Sequence, residues 1–176
     1  MSTVVVISGS PSRTSRTELL GDYVAQRLAE REWRVDHLRV RSLPAAAMLS
    51  ADLAAPAIDA ALRLVDQADG VVLATPTYKA SYSGLLKAFL DLLPQCGFAD
   101  KAVLPLATGG SLAHVLMLDY ALRPVVHSLG ARHVVQGFFL VDSDIHSVDG
   151  DVRMLSHTAE TLDDVIEKFR KALVAM

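Results

Sequence analysis

Three stretches of the chain are apolar with almost no polar interruption: TVVVIS (3–8), GVVLAT (70–75) and KAVLPLAT (101–108), the last broken only by Pro105. A strand with one face in water alternates apolar and polar residues. Runs like these predict strands buried on both faces, as in a parallel sheet covered by helices on each side. WRVDHLRV (33–40) does alternate and reads as a strand near a sheet edge, while HVVQGFFLV (133–141) completes five strands. Between them the apolar period becomes helical. Leu19, Leu20, Tyr23, Val24 and Leu28 form one stripe over 16–30, and further helices are predicted over about 56–68, 84–93, 111–129 and 156–175. Segments 42–55 and 142–154 show no clear period and read as irregular. Strand and helix in alternation imply a doubly wound α/β fold, and the absence of linkers or repeats predicts a single domain over 1–176.

Composition narrows the function. Of 176 residues, 51% are hydrophobic, and a mean hydropathy of +0.31 predicts subunit interfaces. A net charge of -3 with dispersed Lys and Arg gives no footprint for nucleic acid. Cys96 is the only cysteine, and no Cys/His set has the spacing of a metal site. No apolar run approaches the roughly 20 residues of a membrane span, and the N-terminus does not resemble a signal peptide, so a soluble cytoplasmic protein is expected.

In a doubly wound sheet, ligands bind outside the carboxyl ends of the strands. Three loops fall there. SGSPSRTSRT (8–17) offers Ser8, Ser10, Ser12, Thr14, Ser15 and Thr17 with Arg13 and Arg16 at the start of a helix, a set suited to a phosphate. It has neither a Walker A lysine nor the glycines of a dinucleotide fingerprint. TPTYKASYSG (75–84) ends a buried strand at Pro76 and places Tyr78, Lys79 and Tyr82 as a wall for a flat aromatic ligand, with Ser83 capping the next helix and Gly84 allowing close approach. In TGGSLAH (108–114), Gly109 and Gly110 expose backbone amides. A phosphate pocket beside a planar slot suits flavin mononucleotide (FMN). There is no G-x-S-x-G elbow, and of the scattered histidines only His114 lies near one of these loops, so no catalytic side chain is assigned.

These loops, together with ADGVVLATPTYKASYSGLLKAFLDLLP, KAVLPLATGGSLAH and LDYALRPV, make the chain resemble the NAD(P)H-dependent FMN reductases of flavodoxin-like fold. Within them it is most similar to the SsuE type, which supplies reduced flavin to alkanesulfonate monooxygenase. The resemblance implies a five-stranded parallel sheet of order 2-1-3-4-5 and FMN and NADPH as partners, with FMN a substrate or loosely held. It assigns Ser10, Ser15, Arg16 and Thr17 to the FMN phosphate, and Pro76, Thr77, Tyr78, Lys79, Thr108, Gly109, Gly110 and Ser111 to the ring. Tyr120 matches a tyrosine in a π-helical insertion at a subunit interface, so a homodimer or homotetramer is expected. The residues alone leave other readings open: an FMN-bound quinone, azo or metal reductase, a flavodoxin-like electron carrier, or a flavin-free α/β binding domain.

Overall fold

The computed structural model describes residues 2–30 and 33–175. The main strands are β1 (Thr3–Ser8), β2 (Arg34–Arg39), β3 (Gly70–Tyr78) and β5 (Ala102–Gly109), with β6 (His133–Val134) and β7 (Phe138–Val141) end to end along one edge of β5. They run parallel in the order β2-β1-β3-β5-β6. With the two-residue β4 (Ser81–Tyr82), an antiparallel hairpin partner of β3, set aside, this is the flavodoxin-like 2-1-3-4-5 order.

Alternate residues of each strand face opposite layers. Val4 and Val6 of β1, Val72 of β3 and Leu104 of β5 pack under α1 (Arg16–Ala29) and α6 (Ser156–Val174), whose Leu20, Val24, Phe169 and Leu173 complete that core. Val5, Ile7, Val71, Leu73 and Val103 face the other way. They meet α2 (Ala45–Leu49), α3 (Pro56–Asp66), α4 (Gly84–Leu90) and α5 (Arg123–Ser128) through Met48, Ile58, Leu86, Phe89 and Val126. Each fully buried Leu, Ile or Phe contributes roughly 1.5–3 kcal/mol, so both layers are needed to hold the sheet.

The structure departs from the sequence reading in five places. β3, expected to end at Pro76, continues to Tyr78 and pairs there with β4. The fifth strand, expected as one run over 133–141, is two pieces. Opposite the break, Pro105 lacks an N–H for the ladder, and a Cβ on Gly137 would lie 2.6 Å from the Pro105 carbonyl oxygen. The helix expected over 111–129 is a 3-10 turn at Leu112–His114, a π-helix at Leu118–Leu122, and α5. Pro124 cannot donate to the carbonyl four residues back, that of Tyr120, and the Arg123 N–H reaches Leu118, five residues back. Segment 142–154, expected to be irregular, carries the antiparallel hairpin of β8 (Ile145–Val148) and β9 (Asp151–Met154). The 42–55 segment contains the short α2, which puts Met48 into the core. Among the described residues no helix is long and apolar enough to cross a membrane.

Candidate functional site: a cleft on the carboxyl rim

The three loops singled out in the sequence follow β1, β3 and β5, and side-chain bonds tie them together. Ser83 does most of this. Its Oγ donates to the Gly9 carbonyl and accepts from the Leu86 N–H at 3.0 Å, capping α4, while its own N–H donates to Thr75 Oγ1 at 2.9 Å. The first loop can therefore lie directly on α4. An added Cβ on Gly9 would sit 2.5 Å from that of Leu86, so only glycine fits. At the far side, Thr17 Oγ1 and Thr108 Oγ1 are 2.7 Å apart and join the first turn of α1 to the end of β5. By contrast, a Cβ on Gly84 would meet nothing within 4 Å, so no neighbour among the described residues requires glycine there and the space stays open.

The first loop is shaped by its own hydroxyls. The N–H groups of Ser12 and Thr14 donate to Ser10 Oγ and Ser12 Oγ at 3.3 and 3.2 Å, and Ser15 Oγ accepts from Glu18 N–H at 3.1 Å as the N-cap of α1. A capping hydroxyl still has its own hydrogen to give. Arg16 is exposed and, among the described residues, neither it nor Arg13 makes an ion pair. Free charge, a capped helix start and buried hydroxyls together favour an anion here.

These loops enclose one cleft of about 170 Å³. Ser10, Ser15, Arg16 and Thr17 line it from the first loop, Pro76, Thr77 and Tyr78 from the second, and Thr108, Gly109 and Gly110 from the third. Two expected ring residues do not. Lys79 is at the exposed tip of the β3–β4 hairpin with φ 51°, and Ser111 turns its Oγ to the Ala113 N–H at 3.2 Å. Tyr82, read as part of the aromatic wall, packs against the core on the α2–α5 side. Arg13 lines a second cleft next door, and His114 is exposed away from both. The sequence reading missed Asp142, which follows β7 and also lines the cleft. The rim rule that selected three loops applies equally to the turn after the last strand.

The lining fits a flavin on two counts. Thr77 Oγ1 is buried with no hydrogen-bond partner, a cost of about 1–3 kcal/mol that a ligand's polar edge removes. A Cβ on Gly110 would meet nothing within 4 Å, so the glycine keeps open space where a ring edge can lie.

Beneath the rim, His37 Nε2 lies 3.0 Å from Ser8 Oγ and its Nδ1 lies 2.8 Å from Asp22 Oδ1. This row of three looks like a nucleophilic triad, yet Ser8 is fully buried and cannot meet a substrate. It ties β1, β2 and α1 together. Burial holds the His37 pKa below its ordinary value, against the pull of the Asp22 bond. Among the described residues no group of His, Cys, Asp and Glu could hold a metal ion.

Comparison with known proteins gives consistent results. The family model described as "NADPH-dependent FMN reductase" matches residues 2–146. The chain is 44% identical to an FMN reductase (NADPH) of Pseudomonas putida over 172 residues, covering 97% of this chain and 87% of the relative. It is 38% identical to an FMN reductase (NADPH) of Escherichia coli over 170 residues, covering 97% and 89%. A crystal structure of an NADH:FMN oxidoreductase (EMOB) in its apo form superposes with a TM-score of 0.91 at 48% identity, covering 98% of this chain and 90% of that one.

Proposed function

The chain belongs to the NADPH-dependent FMN reductase family, and from that premise we propose that the rim cleft seats FMN while NADPH reduces it. The protein is an oxidoreductase that uses FMN and NADPH. The single observation that carries the assignment to this cleft is the convergence of three loops on one surface with an unpartnered threonine hydroxyl in its wall.

Roles follow from the chemistry of each side. Ser10, Ser15, Thr17 and Arg16 hold the phosphate by hydroxyl donors, guanidinium and the open amides of α1. Pro76, Thr77 and Tyr78 flank the ring on one side, with Thr108, Gly109 and Gly110 on the other. Bound there, FMN would accept the hydride that NADPH supplies, chemistry the two cofactors would bring themselves. The protein's part is to align the two rings and keep water out, so no acid or base is required.

The finer reading is of the SsuE type: FMN leaves in reduced form to feed an alkanesulfonate-type monooxygenase in the cytoplasm. The shape of the cleft supports it. At about 170 Å³ it is smaller than the roughly 300–1,000 Å³ of sites that engulf a ligand, so this chain alone covers flavin only in part. A partly covered flavin can exchange. Leu112, Leu116 and Tyr120 are 59, 60 and 79% exposed on the segment after the third loop, an apolar surface suited to contact between subunits of a homodimer or homotetramer.

The test is NADPH oxidation with and without added FMN. Purified protein is expected to turn over only when FMN is added and to show saturation in FMN. NADH is run beside NADPH, because the crystallised homologue is named for NADH. A rate that stays at background with FMN present sinks the reading, and flavin that survives purification would turn it toward a prosthetic group.

A further inference from the structure

We propose that the second cleft, alongside the first turns of α1, is a subsite for an adenosine phosphate carried on a dinucleotide; the inference rests on the FMN reading of the first cleft. Its volume is about 710 Å³, within the range of small-molecule sites, and it shares Thr14, Ser15 and Arg16 with the flavin cleft. A ligand that continues past the flavin phosphate position runs straight into it. FMN ends at that phosphate, so something longer is needed to fill the second cleft.

The lining matches the parts of an adenosine phosphate. Three arginines, Arg13, Arg16 and Arg39, stand against two carboxylates, Glu18 and Asp22. The carboxylates are already engaged: both Glu18 oxygens bond to Arg41, and Asp22 Oδ1 takes Arg39 at 2.5 Å and His37 at 2.8 Å. With Arg16 given to the flavin phosphate, the unpaired Arg13 leaves positive charge beside the helix start, as a second phosphate needs. Asp22 Oδ2 makes no hydrogen bond among the described residues and is placed to accept from a ribose diol. Leu19 and Arg39, whose guanidinium is fixed by Asp22, line the same cleft and supply apolar and cationic surface for a purine. His146 and Ser147, on the β8–β9 hairpin, close the far wall.

Two molecules carry this chemistry, FAD through its adenylate half and NADPH through its adenosine end. The experiment titrates 5′-AMP into the protein by calorimetry and compares Ser147→Trp, which fills the cleft from an exposed strand position, with Arg13→Ala. AMP is expected to bind the unaltered protein, with affinity falling about tenfold in each variant, while FMN titration of Ser147→Trp stays unchanged and reports an intact fold. Should Ser147→Trp fail to fold, Arg13→Ala in the exposed loop carries the comparison alone. Steady-state kinetics then separate the sources. A rise in the half-saturating concentration of FAD alone assigns the cleft to FAD, and a rise in the KM for NADPH with either flavin assigns it to the nicotinamide cofactor. Absence of AMP binding, or binding that ignores both substitutions, overturns the proposal. If FMN is neither bound nor reduced, the reductase reading fails on its own, and the AMP titration still reads the second cleft directly.

Discussion

Thr77 is the residue whose environment most plainly anticipates a ligand. Its hydroxyl is buried without a partner, so the free protein bears a desolvation cost that Thr77→Val removes. That variant is expected to raise the melting temperature of the FMN-free protein, by about 1–3 kcal/mol of stability, and to weaken FMN binding. Calorimetric melting together with FMN titration checks both signs, and loss of stability would contradict the orphaned state of the hydroxyl. Arg16 differs because it is exposed and makes no ion pair within the described residues. Arg16→Ala leaves the fold alone and raises the half-saturating FMN concentration about tenfold, the loss of one charge-assisted contact. An unchanged FMN dependence would remove this arginine from the phosphate seat.

At the scale of elements, the five main strands were legible because runs such as Val4–Ile7 and Val71–Ala74 leave no face for water. The rim position of the three loops followed from that; the twelve residues assigned to flavin came from the family resemblance, and ten of them line the cleft. The remainder depended on detail that periodicity does not carry. Lys79 turns away because a two-residue hairpin tip with Ala80 intervenes, and Ser111 because its hydroxyl is used locally. The β8–β9 hairpin escaped because its strands are four residues each and mostly exposed, although Asp149-Gly150 is a strong two-residue turn signal, with φ of 51° and 90°. Tyr120 lies in the π-helix that its resemblance implied, a geometry that an apolar stripe alone does not require. A testable tie between elements is His37, which links β2 to β1 and α1. Its pKa is depressed in the folded protein, chiefly by burial. The unfolded chain therefore takes up a proton first, and stability present above about pH 6.5 is lost as pH falls toward the folded pKa. Denaturant melts between pH 8 and pH 5 should show this slope, and His37→Gln should flatten it (about that range of pH).

For the molecule as a whole, the apolar surface of Leu112, Leu116 and Tyr120 is the feature that one chain leaves unfinished. The double substitution Leu116→Asp with Tyr120→Asp is expected to lower the sedimentation mass by at least one step of assembly while circular dichroism stays native. An unaltered mass would place the subunit contact elsewhere. The β8–β9 hairpin has a different standing, since it forms its own two-stranded sheet outside the main one. Its exposed turn at Asp149-Gly150 can be lengthened by pairs of residues without moving any register in the foundations, so that the doorway to the larger hollow can change while the frame that carries it stays fixed.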